Sequence, residues 1–416
     1  MLSRLKKAIK NNKALVQNFS YLSILQIFNL LVPLITYPYL IRVLGKEIYG
    51  LVVFSQAVLG YLCLLINFGF SISATKFISI NRNSNKKLNE IFSNIFILKG
   101  LIFLICVIFF SIGLNFISED KDYKLLYYLT LYLCLYEWVF PVWFFQGIEK
   151  MKYITILNVV SRSVFLILVF ILIKNKNDYL LYPIISGIGA ILASVLALII
   201  IFLKYKVRLI KPTFKSLKFY FIDSAPIFIS NLSSRIFAGS NKVIIGSFLS
   251  MADVAYYDLA EKIVNLLRLP QAIMTQAIFP KTSMDRNVTF VKKILGISLI
   301  GNIFVYVLLF VFHKPIILLL AGENLLEASS VVMILALIAP LIVLTTTFGT
   351  QLLLAFGYNK EFSKVAVTSA CFYLFIIILL YFTIGFTLVN ITLSTVFTIL
   401  FESYLLYKLC LKFKLI

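Results

Sequence analysis

The feature that most constrains this chain is the placement of its charge between apolar segments. Reading it as about twelve apolar spans leaves gaps that are alternately rich in and nearly free of Lys and Arg. The whole net charge of +22 falls in alternate gaps, which are 1–17, 76–90, 147–153, 204–218, 281–293, 357–364 and the chain from Lys408 onward. The intervening gaps sum to zero, and they are 42–47, 116–124, 174–178, 240–256, 313–327 and 384–387. Because basic loops stay on the inner side of a membrane, both termini are predicted to be cytoplasmic.

The composition agrees with a chain that is embedded in lipid. Hydrophobic residues make up 61% and charged residues 13% of it, whereas a soluble domain has about 45–50% apolar and about 25% charged residues. We therefore predict an all-α, multi-pass membrane protein, because a helix satisfies its own backbone groups in lipid. The cations lie in short loops with no separate basic domain, so nucleic acid is not expected as a partner.

The spans divide into two predicted lobes. We place them near 18–41, 48–72, 91–115, 124–146, 154–173, 180–203, 219–241, 254–280, 294–312, 328–356, 362–383 and 387–407. The most basic gap, 204–218, separates residues 1–218 from residues 219–416, with six spans on each side. Two such halves are a recurring transporter plan with the substrate at their interface, so a central cavity is expected.

Ionisable side chains inside spans are costly, at about 2.5–3.5 kcal/mol each near the bilayer centre, and mark candidate functional residues. Ten are found, namely Lys99, Glu137, Arg162, Asp223, Arg235, Asp258, Glu261, Lys262, Arg268 and Glu402. We interpret Lys99 as a side chain that snorkels toward the inner face, and Asp223 and Glu402 as residues near span ends.

Polar residues form stripes on three of the predicted helices. On the eighth span, the polar residues lie within an arc of roughly 80° around the helix axis, and they are Asp258, Glu261, Asn265 and Arg268. Lys262 lies beside this stripe. The seventh span has Asn231, Arg235 and Lys242, and the first has Gln26, Asn29, Pro33 and Thr36. We expect these helices to line a hydrated cavity between the lobes. The alternative is that the charges are structural ion pairs, such as Asp258 with Lys262 at i, i+4.

Catalytic and nucleotide-binding motifs are missing from the sequence. It has no Gly-rich phosphate loop followed by Lys, no metal-ligand spacing and no nucleophile motif. We therefore expect neither a cofactor nor an enzyme activity.

Three motifs carry a resemblance to a known family. They are YPYLIRVLG at 37–45 followed by Tyr49-Gly50, WFFQGIEKM at 143–151, and YDLAEKI at 257–263. The chain resembles, over its whole length, the bacterial polysaccharide repeat-unit flippases. These are the Wzx-type O-antigen translocases of the multidrug/oligosaccharidyl-lipid/polysaccharide exporter superfamily.

The resemblance implies a location and a cargo. Two six-helix lobes of MATE-like architecture would surround a cavity that opens alternately to each side of the bacterial inner membrane. The cargo would be an undecaprenyl-pyrophosphate-linked oligosaccharide, and a polysaccharide polymerase and a chain-length regulator are further candidate partners. Members often have Asp before the Lys-Val-Ile-Ile-Gly stretch, where this chain has Asn241. A cation-coupling carboxylate is therefore not expected at this position.

This cargo suggests roles for the intramembrane residues. Arg can hold phosphate oxygens in a bidentate fork, so Arg235 and Arg268, with Lys242 and Arg162, are predicted to receive the pyrophosphate. The carboxylates of Glu137, Asp258 and Glu261 would balance these cations or carry a coupling proton. Lys262, Asn231, Asn265, Gln26 and Asn29 would line the cavity, with amide groups that contact sugar. Two competing interpretations are a small-molecule or multidrug exporter of the same superfamily and a membrane polysaccharide polymerase.

Overall fold

A computed structural model describes residues 13–117 and 121–416 of the chain, and these residues are almost entirely helical. No residue in these two ranges lies in a β-strand. Most of the basic N-terminal gap and part of gap 116–124 lie outside the described residues.

Fifteen α-helices follow one another along the described chain. The first eight are α1 (Lys13–Asn67), α2 (Phe70–Asn81), α3 (Asn85–Ile117), α4 (Lys121–Thr130), α5 (Tyr132–Val139), α6 (Val142–Gly147), α7 (Met151–Leu172) and α8 (Leu181–Ile199). The others are α9 (Phe214–Phe248), α10 (Met251–Asp285), α11 (Val288–Ala321), α12 (Ser329–Ala336), α13 (Ile338–Thr345), α14 (Asn359–Phe382) and α15 (Leu388–Lys412). Two π-helical stretches, Ile200–Lys204 and Thr346–Leu354, continue α8 and α13.

Within the described ranges, nine helical stretches are long and apolar enough to cross a membrane. This confirms the predicted all-α, multi-pass class. The first two predicted spans fall in one of these stretches, because α1 continues through the short gap between them. The predicted spans 219–241 and 254–280 fall in the helices α9 and α10, which are not among the nine. The total of twelve crossings stays a prediction.

A sharp kink interrupts α1 at Gly45, whose φ of 78° and ψ of 166° are not helical. A positive φ is easy for glycine and strained for residues with a Cβ atom. The chain can therefore turn at this residue between two helical arms.

The described chain forms two compact units. The first contains the chain up to Val43 together with Val58–Asn231, and the second contains Leu44–Ala57 together with Leu232–Ile416. The segment 44–57 thus belongs to the second unit, although the chain on both sides of it belongs to the first. The division into lobes at 218/219 stays a prediction about the membrane arrangement.

The core of the first unit is aromatic. Phe92, Trp143, Phe144 and Phe145 are buried in one cluster, where the Phe92 and Trp143 ring centroids are 5.5 Å apart. In the second unit, Phe348, Leu352 and Leu406 belong to an aliphatic cluster between the π-helical stretch and α15. These clusters fix the helices that carry the intramembrane charges.

Basic gaps contact basic gaps, and gaps without net charge contact one another. In the first unit, Arg82 pairs with Glu149 at 3.0 Å, so gaps 76–90 and 147–153 meet. In the second unit, the Nζ atom of Lys46 lies 3.4 Å from the Oε2 atom of Glu327, so gaps 42–47 and 313–327 meet. The contacts group these loops in the same way as the charge alternation. Which face is cytoplasmic stays a prediction.

Candidate functional site

A compact cluster of charges joins α9 and α10 in the second unit. The Nζ atom of Lys242 lies 2.7 Å from the Oδ1 atom of Asp258 and 2.5 Å from the Oε2 atom of Glu261. Lys262 pairs with the Oδ2 atom of Asp258, one helical turn away on α10. Asp258 is only 4% exposed. Two lysines and two carboxylates therefore neutralise one another around the buried carboxylate of Asp258, as a buried charge requires.

Tyr49 brings the 44–57 segment into this cluster. Its hydroxyl donates to the Oδ2 atom of Asp258 at 2.9 Å and accepts from the Nζ atom of Lys262 at 2.6 Å. The ammonium also lies 5.2 Å from the centroid of the Tyr49 ring, within the range of a cation–π contact. The cluster thus holds this segment to α10 through both polar and aromatic contacts.

Two glycines permit the close approach of this segment. A Cβ atom on Gly50 would lie 1.7 Å from the carbonyl oxygen of Met251, the first residue of α10. A Cβ atom on Gly246 of α9 would lie 2.2 Å from the ring of Phe54. Both positions therefore require glycine for this packing.

A second set of contacts ties the same segment to the start of α10. The Nζ atom of Lys46 donates to the hydroxyl of Tyr256 at 2.6 Å, and that hydroxyl donates to the carboxylate of Glu327. Ser250 caps α10, and its hydroxyl accepts from the backbone N–H of Asp253 at 3.1 Å. These contacts hold the N-terminal end of α10, where the charged stripe begins.

Asn241 is the centre of a neutral hydrogen-bonded hub that joins four helices. Its amide nitrogen donates to the hydroxyls of Tyr257 at 2.7 Å and Thr395 at 2.5 Å. Its amide oxygen accepts from the hydroxyl of Tyr373 at 2.5 Å. Asn241 is 3% exposed. Because the amide uses both of its N–H donors here, a carboxylate at this position could keep these contacts only if the hydroxyls of Tyr257 and Thr395 turned to donate.

The first unit contains a separate buried ion pair. Lys99 on α3, only 1% exposed, donates from Nζ to the Oε1 atom of Glu137 on α5 at 2.8 Å. The amide of Asn67 donates to the same oxygen at 2.7 Å and to the hydroxyl of Ser71 at 2.6 Å. The prediction that Lys99 snorkels toward a span end is therefore wrong, because its ammonium is held inside the unit by Glu137.

The predicted arginines are not part of either cluster. Arg235 on α9 is exposed, while Arg162 on α7 and Arg268 on α10 are half-buried. In the described part of the chain, none of the three makes a salt bridge. The guanidinium of Arg268 lies 3.5 Å from the Oδ1 atom of Asn265, at the limit of a hydrogen bond. Of the four cations predicted to receive pyrophosphate, Lys242 alone is committed to carboxylates.

The uncharged members of the predicted stripes are mostly accessible. Gln26 and Asn265 are exposed, and Asn231 is half-buried. Asn29 is half-buried as well, and its Oδ1 atom has no hydrogen-bond partner among the described residues. Their role in lining a cavity stays a prediction.

The sequence predicts the α10 stripe but not its contact with Tyr49, nor the partners of Asn241. Tyr49 lies 209 residues before Asp258 in the chain, so no helical spacing relates them. In the sequence, Tyr49 and Gly50 stand out only as part of a family motif, and so does Tyr257 in the motif 257–263. The other hub partners, Tyr373 and Thr395, carry no charge and resemble ordinary span residues.

Comparisons with known proteins indicate a family. The family model described as polysaccharide biosynthesis protein matches residues 15–286, more than half of the chain. A protein of Escherichia coli strain K12 that is described as an O-antigen transporter is 28% identical over 374 residues, which cover 88% of this chain and 90% of that protein. A Haloferax volcanii protein described as a low-salt glycan biosynthesis flippase is 26% identical over 249 residues, covering 58% of this chain and 50% of that protein.

Solved structures share the fold. The lipid II flippase MurJ in an inward closed conformation has a TM-score of 0.76 at 18% identity, covering 93% of this chain and 87% of its own. An inward-facing multidrug resistance MATE family transporter of the MOP superfamily has a TM-score of 0.72 at 15% identity, covering 96% and 98%. The predicted MATE-like architecture is thereby confirmed at the level of the fold.

Proposed function

The chain belongs to the polysaccharide biosynthesis protein family, and on that premise we propose that it is a flippase for an undecaprenyl-pyrophosphate-linked oligosaccharide. It moves this repeat unit from the cytoplasmic to the periplasmic leaflet of the bacterial inner membrane by alternating access. Relatives described as O-antigen transporter and as glycan biosynthesis flippase support the proposal, as does the fold shared with a lipid II flippase.

The observation that carries the proposal is that, among the described residues, the intramembrane lysines form salt bridges with carboxylates and the intramembrane arginines do not. Lys99, Lys242 and Lys262 are each neutralised by a carboxylate. The arginines at 162, 235 and 268 make no salt bridge within the described ranges. Guanidinium groups that make no salt bridge inside membrane helices are suited to an anionic ligand, and their planar fork matches phosphate oxygens.

We assign the pyrophosphate to Arg235 and Arg268, with Arg162 as a further contact. Lys242 would have to leave both Asp258 and Glu261 to join them, so it acts in the ion-pair cluster instead. This cluster positions α9 and α10, which carry the two principal arginines. The amides of Asn231, Asn265, Gln26 and Asn29 contact the sugar, and the polyprenyl tail stays in lipid.

The second candidate function is export of a small molecule, favoured by the likeness to the multidrug transporter. The two candidates differ in the charge of the cargo. Arginines without carboxylate partners favour an anion, whereas a cationic drug would be repelled. A polymerase is disfavoured because every predicted outer gap is short and leaves no room for a catalytic domain.

The test is complementation of a deletion strain with Arg235→Ala, Arg268→Ala and a matched control, Arg208→Ala, in the basic gap 204–218. We expect the first two variants to lose surface polysaccharide and to accumulate lipid-linked repeat units that face the cytoplasm, at wild-type protein levels. The control should behave as wild type. Wild-type surface polysaccharide in both test variants would contradict the assignment of the pyrophosphate. Repeat units that reach the periplasm unpolymerised in the deletion strain would contradict the flippase itself.

A further inference from the structure

Two of the five intramembrane carboxylates, Asp223 and Glu402, make no salt bridge with any residue that the structure describes. Glu137 has Lys99 at 2.8 Å, and Asp258 and Glu261 share Lys242 at 2.7 and 2.5 Å. Glu402 on α15 has no salt bridge or hydrogen bond with any residue that the structure describes. The fifth acidic residue, Asp223, has no such partner either, but Phe219 and Pro226 on its side of α9 are exposed.

Glu402 lies on the packed face of its helix and away from the helix ends. It is ten residues before the end of α15 at Lys412. Thr395, Ile399 and Leu406 share its face at about 100° per residue, and they are 6%, 7% and 0% exposed. The side chain is itself half-buried and belongs to the inward face of the second unit, and the interpretation of Glu402 as a span-end residue stays a prediction.

The elements packed against α15 offer no counter-ion. Three of them, α12, α13 and the π-helical stretch 346–354, contain no titratable residue. The fourth, α14, has six, namely Lys360, Glu361, Lys364, Cys371, Tyr373 and Tyr381. Lys360 and Lys364 are exposed, and the hydroxyl of Tyr373 is bonded to Asn241. Beside Glu402, the rings of Phe401 and Phe372 stack with centroids 4.1 Å apart.

Helix α11 shares a core cluster with Leu406, and its Lys292 and Lys293 are exposed. Helix α10 reaches α15 where Tyr257 bonds Thr395, and its Asp258, Glu261 and Lys262 are paired within the ion-pair cluster. A further neighbour is α9, which contacts α15 where Asn241 bonds Thr395. Its charged residues near this contact are Lys242, paired with Asp258 and Glu261, and Arg235. Arg235 is exposed and makes no salt bridge with Glu402. The other titratable residues of α15 make no hydrogen bond or salt bridge with the carboxyl group in the described structure, and they are Tyr404, Tyr407, Lys408, Cys410 and Lys412. Cys410 donates to the carbonyl of Phe348.

An ionised carboxylate without a partner is unfavourable in apolar surroundings, and a protonated carboxyl group is the less costly form. We propose that Glu402 is the proton-binding site that couples translocation to the proton gradient. The proposal rests on the proposed flippase function. In one state of the transport cycle the carboxylate takes up a proton and becomes neutral, and in the other it releases the proton to the opposite side. Asp258, Glu261 and Glu137 keep their lysine partners throughout.

Proton binding is tested first, without any cargo. Infrared difference spectra of the purified protein in bilayers, recorded over a pH titration, report the carbonyl stretch of protonated carboxyl groups. We expect one such band in the wild type, its loss in Glu402→Gln, and its retention in Glu402→Asp. The matched control is Glu323→Gln, the same substitution at an exposed carboxylate, which should keep the band. An unchanged band in Glu402→Gln would overturn the proposal.

Coupling is tested in proteoliposomes loaded with a lipid-linked oligosaccharide. With one proton exchanged per cargo, a gradient of one pH unit should shift the distribution between leaflets by up to about tenfold. We expect this shift in the wild type, Glu402→Asp and Glu323→Gln, whereas Glu402→Gln should exchange cargo and ignore the gradient. A full response to the gradient in Glu402→Gln would refute the coupling role. If wild type moved no lipid-linked oligosaccharide while Glu402→Gln still lost its infrared band, the proton site would stand and the proposed function would fail.

Discussion

The buried pair of Lys99 and Glu137 allows a quantitative prediction. Glu137→Gln removes the negative charge and keeps the shape of the side chain. At 2.8 Å, the attraction is about 6 kcal/mol for an effective dielectric constant of about 20. Relaxation reduces the cost of removing one partner of such a pair to about 3–5 kcal/mol. We expect a loss in this range, because Lys99 is only 1% exposed and its charge would lose its counter-ion.

The reverse substitution should cost less. In Lys99→Met, the carboxylate of Glu137 remains, with a side chain that is 27% exposed. Asn67 continues to donate to it from 2.7 Å. We expect a loss of about 1–3 kcal/mol, the usual cost of a buried group that loses one hydrogen-bond partner. The double variant Lys99→Met/Glu137→Gln leaves neither charge unpaired and should be more stable than Glu137→Gln alone.

The assay is thermal unfolding of the purified variants in one detergent, analysed as a double-mutant cycle. The control is the pair Lys87 and Glu90 on the same helix, which lie 2.9 Å apart with 54% and 33% of their side chains exposed. Lys87→Met and Glu90→Gln should each change the stability by less than about 1 kcal/mol. Equal losses for Glu137→Gln and Lys99→Met, with a double variant that shows their simple sum, would refute the reasoning.

Two further predictions concern the second unit. Gly50→Ala places a Cβ atom 1.7 Å from the carbonyl oxygen of Met251. The 44–57 segment must therefore shift, at a cost of about 1–3 kcal/mol in stability. An unchanged melting temperature would contradict this packing. Asn241→Asp removes the donors to Tyr257 and Thr395 and places a carboxylate where only 3% of the residue is exposed. Its melting temperature should therefore fall well below that of Thr395→Val, a variant that loses only one hydrogen bond of the hub. Equal melting temperatures for these two variants would argue against the hub.

The helical class could be predicted from the sequence because lipid imposes it on every apolar span. The stripe of Asp258, Glu261 and Lys262 could be predicted as well, since helical geometry alone places these residues together. The pairing of Asp258 with Lys262, given as the alternative interpretation, is present in the structure. Local spacing was sufficient for these features.

The partners that complete the clusters could not be predicted in this way. Lys242 lies 16 residues before Asp258 on another helix, and Tyr49 lies 209 residues before it. Lys99 and Glu137 are 38 residues apart. A lysine in a span can either extend its ammonium to the membrane surface or form a buried ion pair. Only tertiary packing decides between these outcomes. That Glu402 has no ionic partner among the described residues is harder still to predict from the sequence, because it depends on the residues of every neighbouring helix.

The assignment of the 44–57 segment to the second unit has a consequence for biosynthesis. Tyr49 leaves the ribosome 209 residues before Asp258, a delay of about 10–40 s at ordinary rates of synthesis. During this time the segment has neither Asp258 nor Lys262 to bind, and its Gly50 has no α10 to pack against. Insertion factors and membrane proteases therefore meet this part of the nascent chain before its permanent contacts exist. Substitutions in the segment should lower the yield of protein even where the finished transporter tolerates them.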